Sequence, residues 1–218
     1  MTTDVKRGLF ITLEGTEGVG KTTNLQHLTE QLAAHDIPHV VTREPGGTPL
    51  AEEIRGLLLA NREEPVHGLT ELLLMFAARS QHLHTFILPK LAEGTWVLCD
   101  RFTDATYAYQ GGGREMGGAP VETLERLVQG DLRPDHVLLL EAPLAVGRER
   151  ADARAGAADR FESEREAFFQ RVQDAYRARA EADPQRYHRI DASRPLHAVQ
   201  ATLDQHLESI IGAWKRSH

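Results

Sequence analysis

Eight residues near the start of the chain constrain its fold more than any other feature. Gly15-Thr16-Glu17-Gly18-Val19-Gly20-Lys21-Thr22 matches G-x-x-x-x-G-K-[ST] in full. The context is the required one. The apolar run Gly8 to Leu13 reads as a buried strand before it, and Lys21 to His35, with Leu25, Leu28 and Leu32 on one side, reads as a helix after it. Glycines let the backbone curl until successive N–H groups point inward as an anion-binding nest. The helix that begins near Lys21 adds the positive end of its dipole. Gly15, Thr16, Glu17, Gly18, Val19, Gly20, Lys21, Thr22 and Thr23 are the expected contacts of a nucleoside triphosphate. Lys21 is expected to reach the β- and γ-phosphates, and the Thr22 hydroxyl to ligate Mg²⁺. The motif alone does not separate a kinase from a GTPase, a motor or a transporter ATPase.

The rest of the chain alternates short apolar runs with longer helical patterns. Further strands are expected at 38–42, 96–99, 136–140 and 187–190. Helices are expected at 49–60, 69–91 with a bend or break near Pro89, 120–129, 143 to about 155, 163–182 and 195–214. Strands alternating with helices imply crossover units, hence an α/β fold with a five-stranded parallel sheet covered by helices on both faces. A length of 218 residues suits a single domain of this kind. Ligands of such sheets collect at the carboxyl ends of the strands, so residues just after 13, 42, 99 and 140 matter most.

Composition removes several classes. Lys+Arg 25 against Asp+Glu 32 gives a net charge of −7, against a general nucleic-acid binder. The single cysteine, Cys99, excludes an intrachain disulfide and a cysteine-rich zinc site, and its apolar flanks read as buried strand. The longest wholly apolar run, Leu72 to Ala78, is far short of a bilayer span, and no secretory leader is visible. A cytoplasmic protein with no membrane partner is expected. The eleven histidines show no metal-ligand spacing; His82 and His84, two apart, read as surface or core residues.

Several side chains outside the loop are placed to bind anions. Arg43 follows the second strand within Thr42-Arg43-Glu44-Pro45-Gly46-Gly47-Thr48, and Asp100 and Arg101 follow the third. Arginine presents a planar fork that suits phosphate oxygens, and Asp100 suits a Mg²⁺-bound water. Arg55 and Arg79 are candidates on helices, each with an ordinary ion-pair role as the alternative. Met75 and Phe76 lie four and three residues before Arg79, on roughly its helix side, so an apolar wall plus a donor could hold a base. Core packing is the competing reading. Glu17 is repulsive to a triphosphate unless it faces a second ligand such as a sugar hydroxyl. Two stretches read as mobile, Gln110 to Gly118 for its glycines and Arg148 to Arg160 for its charge and lack of large apolar residues. Arg148, Arg150, Arg154 and Arg160 make either a solvated face or a lid that brings arginine to a moving phosphoryl group.

LEGTEGVGKTT, TREPGGTPLAEEIR, LLLMFAARSQH, CDRFTDATYAYQGGG, GDLRPD and IDAS, in this order over nearly the whole chain, resemble the bacterial thymidylate kinases. The resemblance implies a three-layer P-loop kinase fold, a single domain over 1–218 with a small arginine-bearing lid at about 147–162. It also implies a homodimer that converts ATP and dTMP to dTDP and ADP with Mg²⁺. Residue by residue it implies that Glu17 reaches the dTMP sugar and that Arg55 and Arg101 hold its phosphate. Asp100 stands near Mg²⁺, and Arg79 bonds the thymine. Thr106, Tyr109 and Gln110 close over base and sugar, with Tyr109 excluding a 2′-hydroxyl. Asp191-Ala192-Ser193 flanks adenine. Members that carry a catalytic arginine in the loop place it right after the loop carboxylate. Gly18 stands there, which assigns that role to the lid, to Arg154 with Arg150 and Arg160 behind it; Asp152 stands where some relatives have arginine. Many members stack an aromatic residue on the base four before the arginine. Met75 holds that place and Phe76 the next, leaving both as dTMP contacts. Lys21, Arg101, Arg154 and Asp100 form the expected catalytic set. The alternatives are another monophosphate kinase, for dUMP, UMP or AMP, or a P-loop switch, although no N-K-x-D guanine signature and no L-S-G-G-Q transporter signature occurs.

Overall fold

The computed structural model describes residues 7–153, 160–162 and 164–216. Five strands, β1 (Phe10–Glu14), β2 (His39–Arg43), β3 (Trp96–Asp100), β4 (His136–Glu141) and β5 (Tyr187–Asp191), form one parallel sheet in the order β2-β3-β1-β4-β5. Leu13 pairs with Asp100 on one side of β1 and with Leu138 on the other. The chain thus leaves β1 at the point where successive crossovers diverge, where a crevice opens at the carboxyl ends.

Burial on both faces explains why these strands are apolar runs rather than alternating ones. Ile11, Leu13, Leu98, Leu138, Leu140 and Ile190 face a core shared with α1 (Lys21–Ala34) and α9 (Leu196–Arg216). Their α9 partners, Val199, Leu203, Leu207, Ile210 and Ile211, recur at helical spacing. On the other face Phe10, Val97 and Cys99 meet Leu83, Ile87 and Leu91, while Val137 and Leu139 meet α8 (Glu166–Ala182) through Val172 and Tyr176.

α2 (Pro49–Leu59) begins at the Thr48 cap, with Pro49 at its first position. α3 (Gly68–His82) continues through a π-helical turn, Leu83–Ile87, into α4 (Leu88–Ala92). The chain does not break at Pro89. The wide turn comes just where proline cannot supply an α-helical N–H.

The glycine-rich stretch overturns the mobile reading. α5 (Thr103–Thr106) runs into a second π-helical turn, Tyr107–Gly113, in which Gln110, Gly111 and Gly113 are buried. A Cβ on Gly112 would lie 2.8 Å from Ala175 Cβ, and one on Gly113 would lie 2.5 Å from the Phe168 ring. Arg171 Nη2 donates to Gly113 O at 2.8 Å. The glycines permit close approach to α8. Gly113→Ala is expected to cost about 1–3 kcal/mol through overpacking, read as a lower Tm; an unchanged Tm would refute the contact.

α6 (Gly118–Gln129) precedes β4 and α7 (Leu144–Asp152) follows it. At the amino-terminal side of β4 and β5 His136 Nδ1 lies 3.1 Å from His188 Nε2, and the His188 and His206 rings are 4.8 Å apart. Burial, then the charges of His136 and His206, push His188 down to about 4 from an ordinary 6.5; burial lowers His206 and, against Asp135, His136. A folded pKa below the unfolded one gives stability that is present above pH 6.5 and lost as pH falls toward 4. Tm is expected to drop over that window, and less steeply in His188→Leu; equal slopes would refute the assignment.

Candidate active site

The phosphate loop sits at the carboxyl end of the central strand. Gly15, Gly18 and Gly20 have φ of 135°, 72° and 86°, so left-handed backbone turns the loop. A Cβ on Gly15 would stand 2.3 Å from Leu140 O, and one on Gly18 only 1.8 Å from Gly147 O at the root of α7. A Cβ on Gly147 would in turn lie 2.9 Å from Glu17 O. α1 has no side-chain cap and no acidic residue in its first turn, so its leading N–H groups are kept for an anion. Lys21 Nζ bonds Gly15 O at 3.2 Å and Thr16 O at 2.9 Å, folded back on the loop. Burial, then repulsion from Arg101, pulls Lys21 down to about 8, against Asp100, Glu17 and Glu14. Thr22 and Thr23 are exposed on the cleft wall, whereas Val19 anchors the loop in the core.

One cleft of about 490 Å³ joins this loop to the ends of β2 and β3 and to α2, α3 and α5. Arg101 enters it from a left-handed backbone, φ 67°, an unusual conformation for a side chain of this size. Its Nη2 donates to Glu17 Oε1 at 2.9 Å, and its guanidinium lies 4.7 Å from the Tyr109 ring. The Tyr109 hydroxyl lies 2.8 Å from both Glu17 oxygens and donates to that carboxylate. Burial alone would raise Glu17; Arg101, Lys21 and Tyr109 outweigh it and hold it below its ordinary value. Asp100 Oδ1 is buried without a hydrogen-bond partner among the described residues.

Arg79 forms the far wall. It is 2% exposed, its Nε donates to Glu44 Oε2 at 2.7 Å and its Nη2 to Thr106 Oγ1 at 2.9 Å. Phe76 and Phe102 flank the guanidinium at 4.7 and 4.9 Å, and Nη1 has no hydrogen-bond partner among the described residues. Met75 lines the cleft, while Phe76 lies in a buried cluster with Leu72 and Val121, outside the lining. Of the two, Met75 is thus the one on the cleft wall. Arg55 lines the cleft and donates to Pro45 O at 2.9 Å. Gln110 lines it too, with its amide bonded to Glu71 at 2.7 Å.

The arginines of the 148–160 stretch part company. Arg150 reaches the cleft with Nη1 donating to Ala192 O at 2.7 Å, beside Asp191 and Ser193. Arg160 bonds Leu58 O at 3.0 Å and the fully buried Glu71 at 2.6 Å. Its neighbours Phe161 and Glu162 line the cleft instead. Arg160 is an anchor of the segment's far end, not a free donor. Arg154 lies outside the described residues.

Among the described residues six cations line the cleft, Lys21, Arg43, Arg55, Arg79, Arg101 and Arg150, against four carboxylates, Glu17, Glu44, Asp100 and Glu162. A chain of net charge −7 thus keeps a surplus of positive charge along this cleft. Glu14 is a participant that the sequence reading missed. Its Oε1 accepts from Phe102 N and its Oε2 from the Tyr176 hydroxyl, both at 2.7 Å. It thereby clamps the backbone just after Arg101. Burial, then Asp104, pushes Glu14 up to about 8, against Tyr176, Arg101 and the Phe102 N–H. A carboxylate closing a strand that is buried from end to end was its visible signal.

A phosphate loop at the head of a parallel sheet, with a second, arginine-walled compartment in the same cleft, defines a P-loop phosphotransferase with a small second substrate. Comparison with known proteins narrows the class. The family model described as thymidylate kinase matches residues 13–203. The chain is 57% identical to the thymidylate kinase of Pseudomonas savastanoi pv. phaseolicola over 204 residues, 94% of this chain and 97% of the relative. It is 56% identical to that of Teredinibacter turnerae, covering 94% and 99%. The crystal structure of thymidylate kinase from Ehrlichia chaffeensis superposes with a TM-score of 0.74 at 32% identity, over 93% of this chain and 99% of that one. The chain belongs to the thymidylate kinase family, and it is an ATP-dependent phosphotransferase.

Proposed function

We propose that this chain transfers the γ-phosphoryl group of ATP to dTMP, giving dTDP and ADP. The observation that carries the reading is the single cleft with Lys21 and Thr22 at one end and Arg79, Met75 and Tyr109 at the other. Gly15 to Thr23 hold the triphosphate, with Lys21 swinging from the loop carbonyls to the β- and γ-phosphates. Arg101 and Arg55 hold the acceptor phosphate, Glu17 the sugar hydroxyl, and Arg79 a thymine carbonyl through Nη1. Met75 covers the base, with Phe76 behind Arg79. Thr106 and Gln110 brace this wall, and Tyr109, bonded to Glu17, is assigned to exclude a 2′-hydroxyl.

The acceptor oxygen is already anionic, so no general base is required, and catalysis reduces to alignment and charge stabilisation. Arg101, and Lys21 once it has swung to the phosphates, supply positive charge on either side of the transfer path. The hydroxyl of Thr22 and the unpartnered buried oxygen of Asp100 are hard donors that fit a divalent cation. When bound, Mg²⁺ would neutralise charge on the phosphates. Arg154 is the proposed lid arginine, a choice supported by the bonds that occupy Arg160 and tie Arg150 to Ala192. Residues 1–218 form one kinase domain, with the lid at about 147–162.

Among the described residues no helix is long and apolar enough to cross a membrane, and a cytoplasmic enzyme is proposed. A homodimer is supported by Leu50 and Leu57 on α2 and Leu69 and Leu73 on α3, each about half exposed. Sedimentation velocity reads the dimer directly. The activity is tested by ADP release with Mg²⁺-ATP against dTMP, dUMP, UMP, dCMP, dGMP and AMP. A strong preference for dTMP is expected; a missing methyl can cost only about 1–3 kcal/mol, which makes dUMP the second-best acceptor. Preference for another base would overturn the proposed base pocket.

A further inference from the structure

His82 is a fully buried imidazole that no step above uses. It lies at the end of α3, one turn after Arg79. Its Nε2 is 2.7 Å from Thr42 Oγ1, and its Nδ1 is 3.1 Å from Glu44 Oε1. The other Glu44 oxygen takes the Arg79 Nε–H at 2.7 Å. An unbroken chain of hydrogen bonds therefore runs from β2 through His82 and Glu44 to the arginine of the far wall. A carboxylate of this kind only accepts, so His82 Nδ1 carries the hydrogen, and Nε2 takes the one from the Thr42 hydroxyl. The imidazole has little freedom. It stacks on Phe86 with centroids 5.8 Å apart, and a Cβ on Gly47 would stand 2.4 Å from its Nε2, so the Gly46-Gly47 turn lies directly over it.

We propose that His82, acting through Glu44, is the positioning residue that aims Arg79 Nη1 at the nucleobase and so sets base selectivity. The proposal rests on the reading of Arg79 as the base-facing donor. Two of the three guanidinium nitrogens are occupied by Glu44 and Thr106, and Nη1 is buried with no hydrogen-bond partner among the described residues, on a residue that lines the cleft. Where Nη1 points follows from the plane of the Glu44 carboxylate. His82 fixes that plane by holding the oxygen that Arg79 does not use. A guanidinium N–H held in place rewards a carbonyl on the facing edge of the base and rejects an amino group there. Thymine and uracil present the first at that edge, cytosine the second.

Kinetics with dTMP and dCMP as acceptors test this on three variants of the full-length enzyme. His82→Asn keeps a side-chain N–H near the Nδ1 position. His82→Gln moves it outward, toward Thr42 and away from Glu44. Arg79→Gln removes the aimed donor itself. His82→Gln is expected to raise the dTMP KM about tenfold and to narrow the dTMP-to-dCMP ratio by a similar factor. The ATP KM should stay within about twofold, and His82→Asn should recover most of both effects. A merely structural histidine would give Asn and Gln variants that lose activity alike, toward ATP as well as dTMP, in step with Tm; that result overturns the proposal. An impaired Arg79→Gln beside a normal His82→Gln overturns the relay alone. A normal Arg79→Gln overturns the base-facing reading of Arg79 and the relay with it. Should both His82 variants fail to fold, Thr42→Val breaks the far bond with little change of shape. A rise in dTMP KM at constant ATP KM then supports the relay, and no change refutes it.

Discussion

Arg101→Ala is expected to lower turnover by roughly 10²–10³-fold and to raise the dTMP KM, while ATP affinity stays within about threefold. The asymmetry follows from where the side chain leaves the backbone. Arg101 rises from the end of β3 and bonds Glu17, the loop carboxylate read as facing the acceptor, beside the Tyr109 ring, while the loop N–H groups and α1 that hold ATP keep their own geometry. Its loss frees Glu17 and Tyr109 to shift, so the sugar and phosphate of the acceptor lose their seats together. Arg101→Gly separates side chain from backbone. Glycine accepts φ 67° without the crowding a Cβ brings. Both variants should lose turnover alike, because the guanidinium is the missing part. Unchanged dTMP kinetics in either would remove Arg101 from the acceptor site.

Lys21→Ala is expected to be more severe, roughly 10³-fold or greater in kcat/KM for ATP, since it removes the one ammonium in the phosphate nest. The wild-type lysine also gives the site a pH limit. With Lys21 pulled down to about 8 before ATP binds, its charge is present below that pH and is lost above it. kcat/KM for ATP reports the free enzyme and should therefore fall above about pH 8. Turnover at saturating ATP should hold to higher pH, because the bound triphosphate favours the ammonium form. Lys21→Arg keeps its charge throughout and should abolish the break, whatever its absolute rate. A break that survives in Lys21→Arg would belong to Glu14, which also titrates near 8.

The sheet and the phosphate loop were legible because their signals are local. A strand, a glycine loop and a helix follow one another within 25 residues, and each of the five strands falls within a residue or two of its apolar run. Less was legible where distant segments decide. Gln110 to Gly118 has the composition of a loose loop, yet its glycines are shaped by α8, more than 50 residues on. Arg160 looks like one more cation in a charged run until Glu71 is placed beneath it. Met75 and Phe76 differ by one position, which on a helix is about 100° of rotation; the packing of α3 on α6 decides which of them faces the cleft. Glu44 and His82 carry no motif that marks them as neighbours. Their contact comes from setting β2 beside the end of α3.

The contact between Gly18 and Gly147 limits how this lineage can change. Related kinases that keep their arginine in the loop hold it where Gly18 stands. Here any side chain at that position runs into the carbonyl of Gly147. An arginine therefore cannot enter position 18 by substitution alone. The root of α7 must draw back before a side chain fits there. A side chain at this position thus calls for coordinated change in two segments almost 130 residues apart. A backbone touching a backbone, with no side chain to vary, makes the shape of the phosphate loop and the seat of α7 a single decision.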